Sequence, residues 1–153
     1  EYKELEELHR TGIEPIKNHE LSTSIKGRSN LYLQMKSIIE SAESSVYLTS
    51  SAFELSQKLK MFKDVFAKLN KRKVDIKIII TDKQSEADKL AKKLGVKIKS
   101  KPINARFLMV DKTETIFTIK STSVHEDFDH AVWVNSPFFT NSLAYMFDIA
   151  WQD

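Results

Sequence analysis

Apolar residues recur along the chain at two spacings, three-to-four and two, and the changes between them mark out helices and strands. Leu31, Met35, Ile38 and Ile39 define one face of a helix over about 29–42, with Ser29 or Asn30 placed to cap it. Val46-Tyr47-Leu48-Thr49-Ser50-Ser51 reads as a strand ending in hydroxyls. Leu55, Leu59, Phe62, Val65, Phe66 and Leu69 predict one long helix from about Phe53 to Lys71. Residues 74–80 begin alternating and end as an apolar run, the pattern of an interior parallel strand. A helix over 85–94 stops at Gly95, and Val96-Lys97-Ile98-Lys99 alternates like an edge strand whose lysines meet water. Asn104 to Asp111 is a buried strand built on Phe107-Leu108-Met109-Val110, and residues 115–119 complete a hairpin with it across a turn at 112–114. Val132-Trp133-Val134 is a last short strand, and Pro137 opens a helix to Trp151.

The order α–β–α–β–α–β–β–β–β–α predicts an α/β fold: a mixed sheet flanked by helices, with parallel crossover strands first and antiparallel strands after. Ahead of it, Tyr2, Leu5 and Leu8 give residues 1–10 a narrow apolar stripe. Two readings stay open there: the end of a longer helix forming a coiled-coil seam, and a terminal helix packed on its own domain. Residues 16–28 are polar and read as a connector. The expected organisation is a linker or dimerisation helix and connector over 1–26, then one domain over 27–153.

Composition narrows the classes. At 153 residues, 41% hydrophobic and 10% aromatic, the chain is long and apolar enough for one folded domain. It has no cysteine, which excludes disulfides and thiolate metal sites and suits a cytoplasmic protein. No apolar run is long enough to span a bilayer, so no membrane partner is expected. Lysine and arginine exceed the acids by three, too few to argue for nucleic acid unless clustered. The chain starts at Glu1 rather than Met, which suggests a piece of something longer.

Chemistry concentrates at strand ends. Ligands of such sheets bind beyond the carboxyl ends of the parallel strands, here Thr49-Ser50-Ser51 and Thr81-Asp82. Strand alternation puts Asn104 and Arg106 on one face of the hairpin strand, with Asp111 closing it. His125-Glu126-Asp127-Phe128-Asp129-His130 carries metal-ligand chemistry, yet no further histidine cluster supports it, and a solvated loop is the preferred reading. Asp129 is a candidate partner for Arg106. Lys89, Lys92, Lys93, Lys97, Lys99 and Lys101 form the densest basic stretch. Interspersed acids and the lack of interleaved aromatics favour a solubilising face over a nucleic-acid surface. Trp133 and Trp151 read as packing residues.

Strand order, hairpin and spacing together resemble a phospholipase D-like domain, whose signature is His-x-Lys-x4-Asp followed by Gly-Ser. Asn104, Arg106 and Asp111 hold that frame here, while Thr118-Ile119-Lys120-Ser121 stands where Gly-Ser would be. The resemblance implies a histidine nucleophile and two copies of the motif. An amide nitrogen, its lone pair delocalised, cannot replace the imidazole, and a single copy is present. A narrower resemblance covers residues 27–151. Gly27-Arg28-Ser29-Asn30-Leu31, the run from Phe128 to Phe139, and Met146-Phe147 followed by Trp151 are similar to the C-terminal domain of archaeal TrmB-type transcriptional regulators.

That resemblance implies a non-catalytic, effector-sensing and dimerising domain, with no catalytic residue, metal or cofactor. Contact with DNA would run through a winged helix upstream of this chain. Asn104, Arg106, Asp111, Ser50, Ser51, Asp82 and Asp129 are expected to line a remnant cleft for a small-molecule effector, in a homodimer. TrmB-type relatives sense sugars, but none of their sugar-binding residues can be matched here, so the effector is open. The rival readings are a divergent dimeric phosphodiesterase or nuclease and a purely structural dimerisation domain.

Overall fold

The computed structural model describes residues 22–119 and 130–152. In chain order the elements are β1 (Ser22–Lys26), α1 (Arg28–Glu40), β2 (Ser45–Ser50), α2 (Ala52–Gln57), α3 (Leu59–Lys71), β3 (Asp75–Ile80), α4 (Gln84–Leu94), β4 (Lys97–Ser100), β5 (Phe107–Val110), β6 (Glu114–Ile119), β7 (His130–Val134) and α5 (Pro137–Trp151). The strands form one sheet in the order β1-β7-β6-β5-β2-β3-β4. β2, β3 and β4 run parallel, with a helix in each crossover, and the remaining pairings are antiparallel. This is the α/β mixed sheet flanked by helices that the hydrophobic pattern predicts. The expected helix over 1–10 and the His125–Asp129 run lie outside the described residues.

Three local expectations change. Residues 22–26, read as connector, pair with β7 from Ser22↔Val134 to Lys26↔His130. Ile25 is buried there, and it is the one apolar residue of Ser22-Thr23-Ser24-Ile25-Lys26, too few for the alternation to announce a strand. Neither Ser29 nor Asn30 caps α1; Gly27 does, at φ 91°, a backbone state that a side chain disfavours. The helix expected over 53–71 breaks at Lys58 (φ −115°, ψ 30°). Apolar spacing continues unchanged across that break, so the pattern could not reveal it.

Alternation along β2, β3 and β5 supplies two cores, one on each face of the sheet. Val46, Leu48, Ile78, Ile80, Leu108 and Val110 pack beneath α1, α3 and α4. Tyr47, Ile79, Phe107 and Met109 face α5 through Ala144 and Phe147. Because both faces are covered, β5 is buried along its whole length. Phe147 lies at the centre of the second core, stacked on Tyr47 at 4.5 Å and on Trp151 at 6.0 Å. Lys99 does not meet water as an edge lysine would. It donates to the Trp151 carbonyl at 2.6 Å, with its ammonium 4.6 Å from the indole centroid, while Lys97 stays exposed.

Tyr47 couples this core to pH. Burial, then the charge and hydrogen bond of Asp148, push its phenol up from 10.0 to about 12. The folded state therefore holds the phenolic proton more tightly than the unfolded one. The stabilisation is complete below pH 10 and is lost as pH rises towards 12, at roughly 1.4 kcal/mol per pH unit. Urea denaturation at pH 9 and 11 should show wild-type stability falling and Tyr47→Phe falling less. Equal slopes would refute the assignment.

Candidate functional site

Beyond the carboxyl end of β2 the chain turns straight into a helix, and the polar residues there divide between capping and lining a cleft. Ser51 caps α2, its hydroxyl accepting from Glu54 N at 3.2 Å, the first half of an S-x-x-E capping box. Asp82, beyond the carboxyl end of β3, accepts from Ala52 N at 2.8 Å and so ties the start of α2 to the neighbouring strand. Both expected cleft residues are thus committed to helix geometry. Ser50 behaves differently. Its hydroxyl donates to the Glu54 carboxylate at 3.1 Å, and the same oxygen lies 3.6 Å from Arg106 Nε.

Arg106 reaches this spot because β5 starts at Phe107, three residues after the strand expected from Asn104. The Thr49 hydroxyl donates to Ala105 O at 2.6 Å and accepts from Phe107 N at 2.9 Å. A side-chain hydroxyl thus replaces a main-chain partner, and residues 101–106 leave the sheet. Thr118 N still donates to Arg106 O at 3.0 Å, which fixes the residue against β6. The side chain is 23% exposed, and its buried Nη1 makes no hydrogen bond among the described residues. A buried guanidinium nitrogen without an acceptor is costly.

The cleft has a volume of about 90 Å³, between β2, β5 and β6 on one side and α1, α2 and α3 on the other. Thr49, Ser50, Glu54, Lys58, Arg106 and Thr118 supply its polar wall, and Leu31, Met35, Phe62 and Ile116 its apolar one. It has room for a group of a few atoms. Gln57 and Lys58 also border a wider, shallow hollow of about 560 Å³ with Ser29, Tyr32 and Leu33.

The structure does not bring all the expected residues together. Asn104 is exposed on the run before β5 and does not line the cleft. Asp111 lies at the opposite end of the sheet, roughly 16 Å away along a strand of β2's length. Its carboxylate accepts from the amides of Glu43 (3.1 Å), Ser44 (2.7 Å) and Ser45 (3.0 Å) and from the Ser44 hydroxyl (3.0 Å). Burial pushes this carboxyl up, but the Ser44, Ser45 and Glu43 amides and the Ser44 hydroxyl together hold it below the ordinary carboxylate value. Asp129 lies outside the described residues. Of the expected set, Ser50 and Arg106 are the two that line the cleft.

Glu54 and Lys58 were missed as site residues. The Ser51-x-x-Glu54 box was the available signal, since it places Glu54 one turn into a helix that begins at a strand end. Lys58 carried no signal, because its position depends on the helix break. Of the basic stretch, Lys89, Lys92, Lys93 and Lys97 are exposed, with Lys89 3.9 Å from Glu86. No group of three or more His, Cys, Asp or Glu among the described residues is arranged to hold a metal ion. No helix there is long and apolar enough to cross a membrane.

Comparison with known proteins gives three kinds of result. Residues 22–153 match the family described as transcriptional regulator TrmB, EBD N-terminal subdomain. No curated protein sequence matches the chain. Among solved structures, it is similar to TrmBL2, an archaeal chromatin protein whose structure shows a novel mode of DNA binding. The TM-score is 0.65 at 20% identity, covering 99% of this chain and 60% of that one. It is also similar to Nuc from Salmonella typhimurium, a phospholipase D family member (TM-score 0.63, 16% identity, 87% of this chain and 95% of that one). NucT from Helicobacter pylori gives a TM-score of 0.65 at 14% identity, covering 87% and 96%. At such identities these structures speak for the fold alone.

Proposed function

This chain belongs to the TrmB transcriptional regulator family, as its EBD N-terminal subdomain, and from that premise we propose that it is a non-catalytic, effector-sensing domain whose Arg106 cleft takes an acceptor-bearing group of a ligand. The observation that carries this reading is the buried Arg106 Nη1, without a hydrogen bond among the described residues, on a side chain that lines a cleft with Ser50, Glu54 and Lys58. Its planar fork suits a carboxylate or another group with two acceptors. The 90 Å³ throat would seat that group, and the hollow beside Tyr32 and Leu33 the body of the ligand.

Catalysis finds little support in the residues. Asn104 holds the place of the phospholipase D nucleophile, and an amide cannot form the phospho-enzyme bond. Asp111, the retained acid of the frame, has its carboxylate engaged by three main-chain amides. In a longer regulator, ligand binding here would act by favouring one of two domain arrangements, and DNA contact would come from a part upstream of this chain. A homodimer built through residues 1–26 belongs to the same reading.

The test is an NMR titration of the chain with a carboxylate (acetate), a disaccharide (maltose) and inorganic phosphate. We expect shifts at Ser50, Glu54 and Arg106 for at least one probe, and affinity reduced at least about tenfold in Arg106→Ala, the loss of one charge-assisted bond. No shift at these residues with any probe would sink the cleft. Turnover of a generic phosphodiester that disappears in Arg106→Ala would replace the sensor by an enzyme.

A further inference from the structure

The basic stretch read from the sequence is not one surface in the fold. Lys89 lies 3.9 Å from Glu86, and Lys99 covers Trp151. Lys92, Lys93 and Lys97 instead join Lys71, Arg72 and Lys73 from the end of α3. The Asn70 amide donates to Gly95 O at 3.0 Å and ties the two helix ends together, beside a hollow bordered by Val74, Asp75 and Lys97. All six cations are exposed, and no ion pair joins them to a carboxylate among the described residues. Two nearby acids are engaged elsewhere, Glu40 at 3.6 Å from Lys68 and Asp75 at 3.8 Å from Lys77. Ordinary stabilising roles account for five of the six. Lys71, Lys92 and Lys93 complement helix dipoles, Arg72 donates to Glu40 O at 2.9 Å, and Lys97 guards a sheet edge. Lys73 has no such role. It stops α3 at φ 62°, where Lys73 N donates to Asn70 O and Val74 N to Leu69 O. The matching stop of α4 is a glycine, Gly95 at φ 70°. A lysine in that conformation strains the backbone where glycine would not, and it places one more cation at this end.

We propose that this end of the sheet, formed by the last turns of α3 and α4 and the start of β4, is a contact surface for the phosphate backbone of duplex DNA. Exposed cations without carboxylate partners attract phosphates whatever the base sequence. Large exposed apolar side chains would point to another partner, because protein interfaces, membrane surfaces and stacked single strands all need them. Among the described residues none stands on α3, α4 or β4. The cations are also held rigidly, on two helix ends and a strand joined by the Asn70 bond, as a stiff duplex requires. Topology adds a second argument. Paired residues run in one row across the sheet from Ser22 through Val134, Thr115, Met109 and Tyr47 to Lys77 and Lys97. Residues 1–21 therefore join the sheet at the end that carries the cations. Six strand spacings separate Ser22 from Lys97, roughly 29 Å or about eight base pairs of duplex. One duplex held by a part upstream of this chain would thus also reach the cations. That step rests on the regulator reading above; the charge argument does not.

Fluorescence anisotropy of a labelled duplex of about 20 base pairs, titrated with the 153-residue chain, tests the surface. We expect binding that weakens roughly a hundredfold between about 50 and 200 mM salt, the counterion release of about four phosphate contacts. Lys92→Gln, Lys93→Gln and Lys97→Gln together should weaken it at least about tenfold and make the salt slope shallower by about two to three. Lys60→Gln, Lys63→Gln and Lys83→Gln remove the same charge from exposed positions on the first half of α3 and the start of α4. That variant should bind like wild type. Lys73→Gly relieves the backbone, so its urea midpoint should not fall while its affinity does. No binding at low salt, equal losses in the two triple variants, or tighter binding of single-stranded RNA or polyglutamate than of the duplex overturns the proposal. None of these outcomes bears on the Arg106 cleft, which the NMR titration tests separately.

Discussion

Phe147→Ala should cost about 4 kcal/mol of unfolding free energy, the largest loss expected from any single change described for this domain. Phe147 is 1% exposed and joins three elements at once. Its ring stacks on Tyr47 of β2 at 4.5 Å and on Trp151 at 6.0 Å, and meets Phe107 of β5 edge-on at 6.3 Å. Removing it leaves a cavity under the sheet that these stiff rings cannot collapse to fill, and aromatic contacts are lost beyond the buried area. Urea denaturation followed by tryptophan fluorescence measures the cost. The consequence reaches the candidate site, because Phe107 is the first residue of β5 and Arg106 precedes it. A loss below about 1 kcal/mol would mean that α5 does not hold this face of the sheet.

Asp111→Ala should destabilise by about 3 kcal/mol, from two separable causes. The carboxylate satisfies the amides of Glu43, Ser44 and Ser45, which would otherwise lose their partner where the chain enters β2. In addition, Asp111 and Lys112 have φ of 56° and 57° in the turn between β5 and β6, a region that alanine enters at a cost of about 1–2 kcal/mol. Asp111→Gly removes the acceptors and relieves the backbone; Asp111→Asn keeps one oxygen and tolerates positive φ. We expect the order Ala worst, Gly intermediate, Asn mildest. The charge adds a pH signature. The folded carboxyl sits below its unfolded value of 3.8, so the stabilisation is present above that pH and fades as pH falls through the folded value. Asp111→Asn should lack this component of acid destabilisation, as denaturation curves at pH 5 and pH 3 would reveal. Identical acid responses would mean that the carboxylate contributes nothing through its charge.

These two residues also divide what could be read from the sequence. Phe147 stood on an apolar helix starting at Pro137, and that helix is found from Pro137 to Trp151. The same holds for β2, β3, α4 with its Gly95 stop, and the β5–β6 hairpin. In each, propensity, end signal and hydrophobic spacing agree, so local physics suffices. Asp111 was equally visible as the retained acid of a hydrolase-like frame. Its position on the frame did not reveal that it lies at the other end of β2 from Arg106. Spacing along an antiparallel pair fixes which residue is next, and the pairing partner decides which end of the sheet it occupies.

The sequence by itself determined the mixed α/β sheet, the two-faced burial of β5 and the replacement of a histidine position by Asn104, because each follows from period, order or residue identity. Tertiary structure alone decided that Asp82 serves the start of α2, and that Glu54 and Lys58 join Ser50 and Arg106 in one cleft. It also decided that the ends of α3 and α4 bring their cations to one end of the sheet. Those facts depend on where separate elements meet: a hydroxyl inserted between β2 and β5, a helix broken at Lys58, an amide that joins two helix ends. No periodicity within a single element encodes such a meeting.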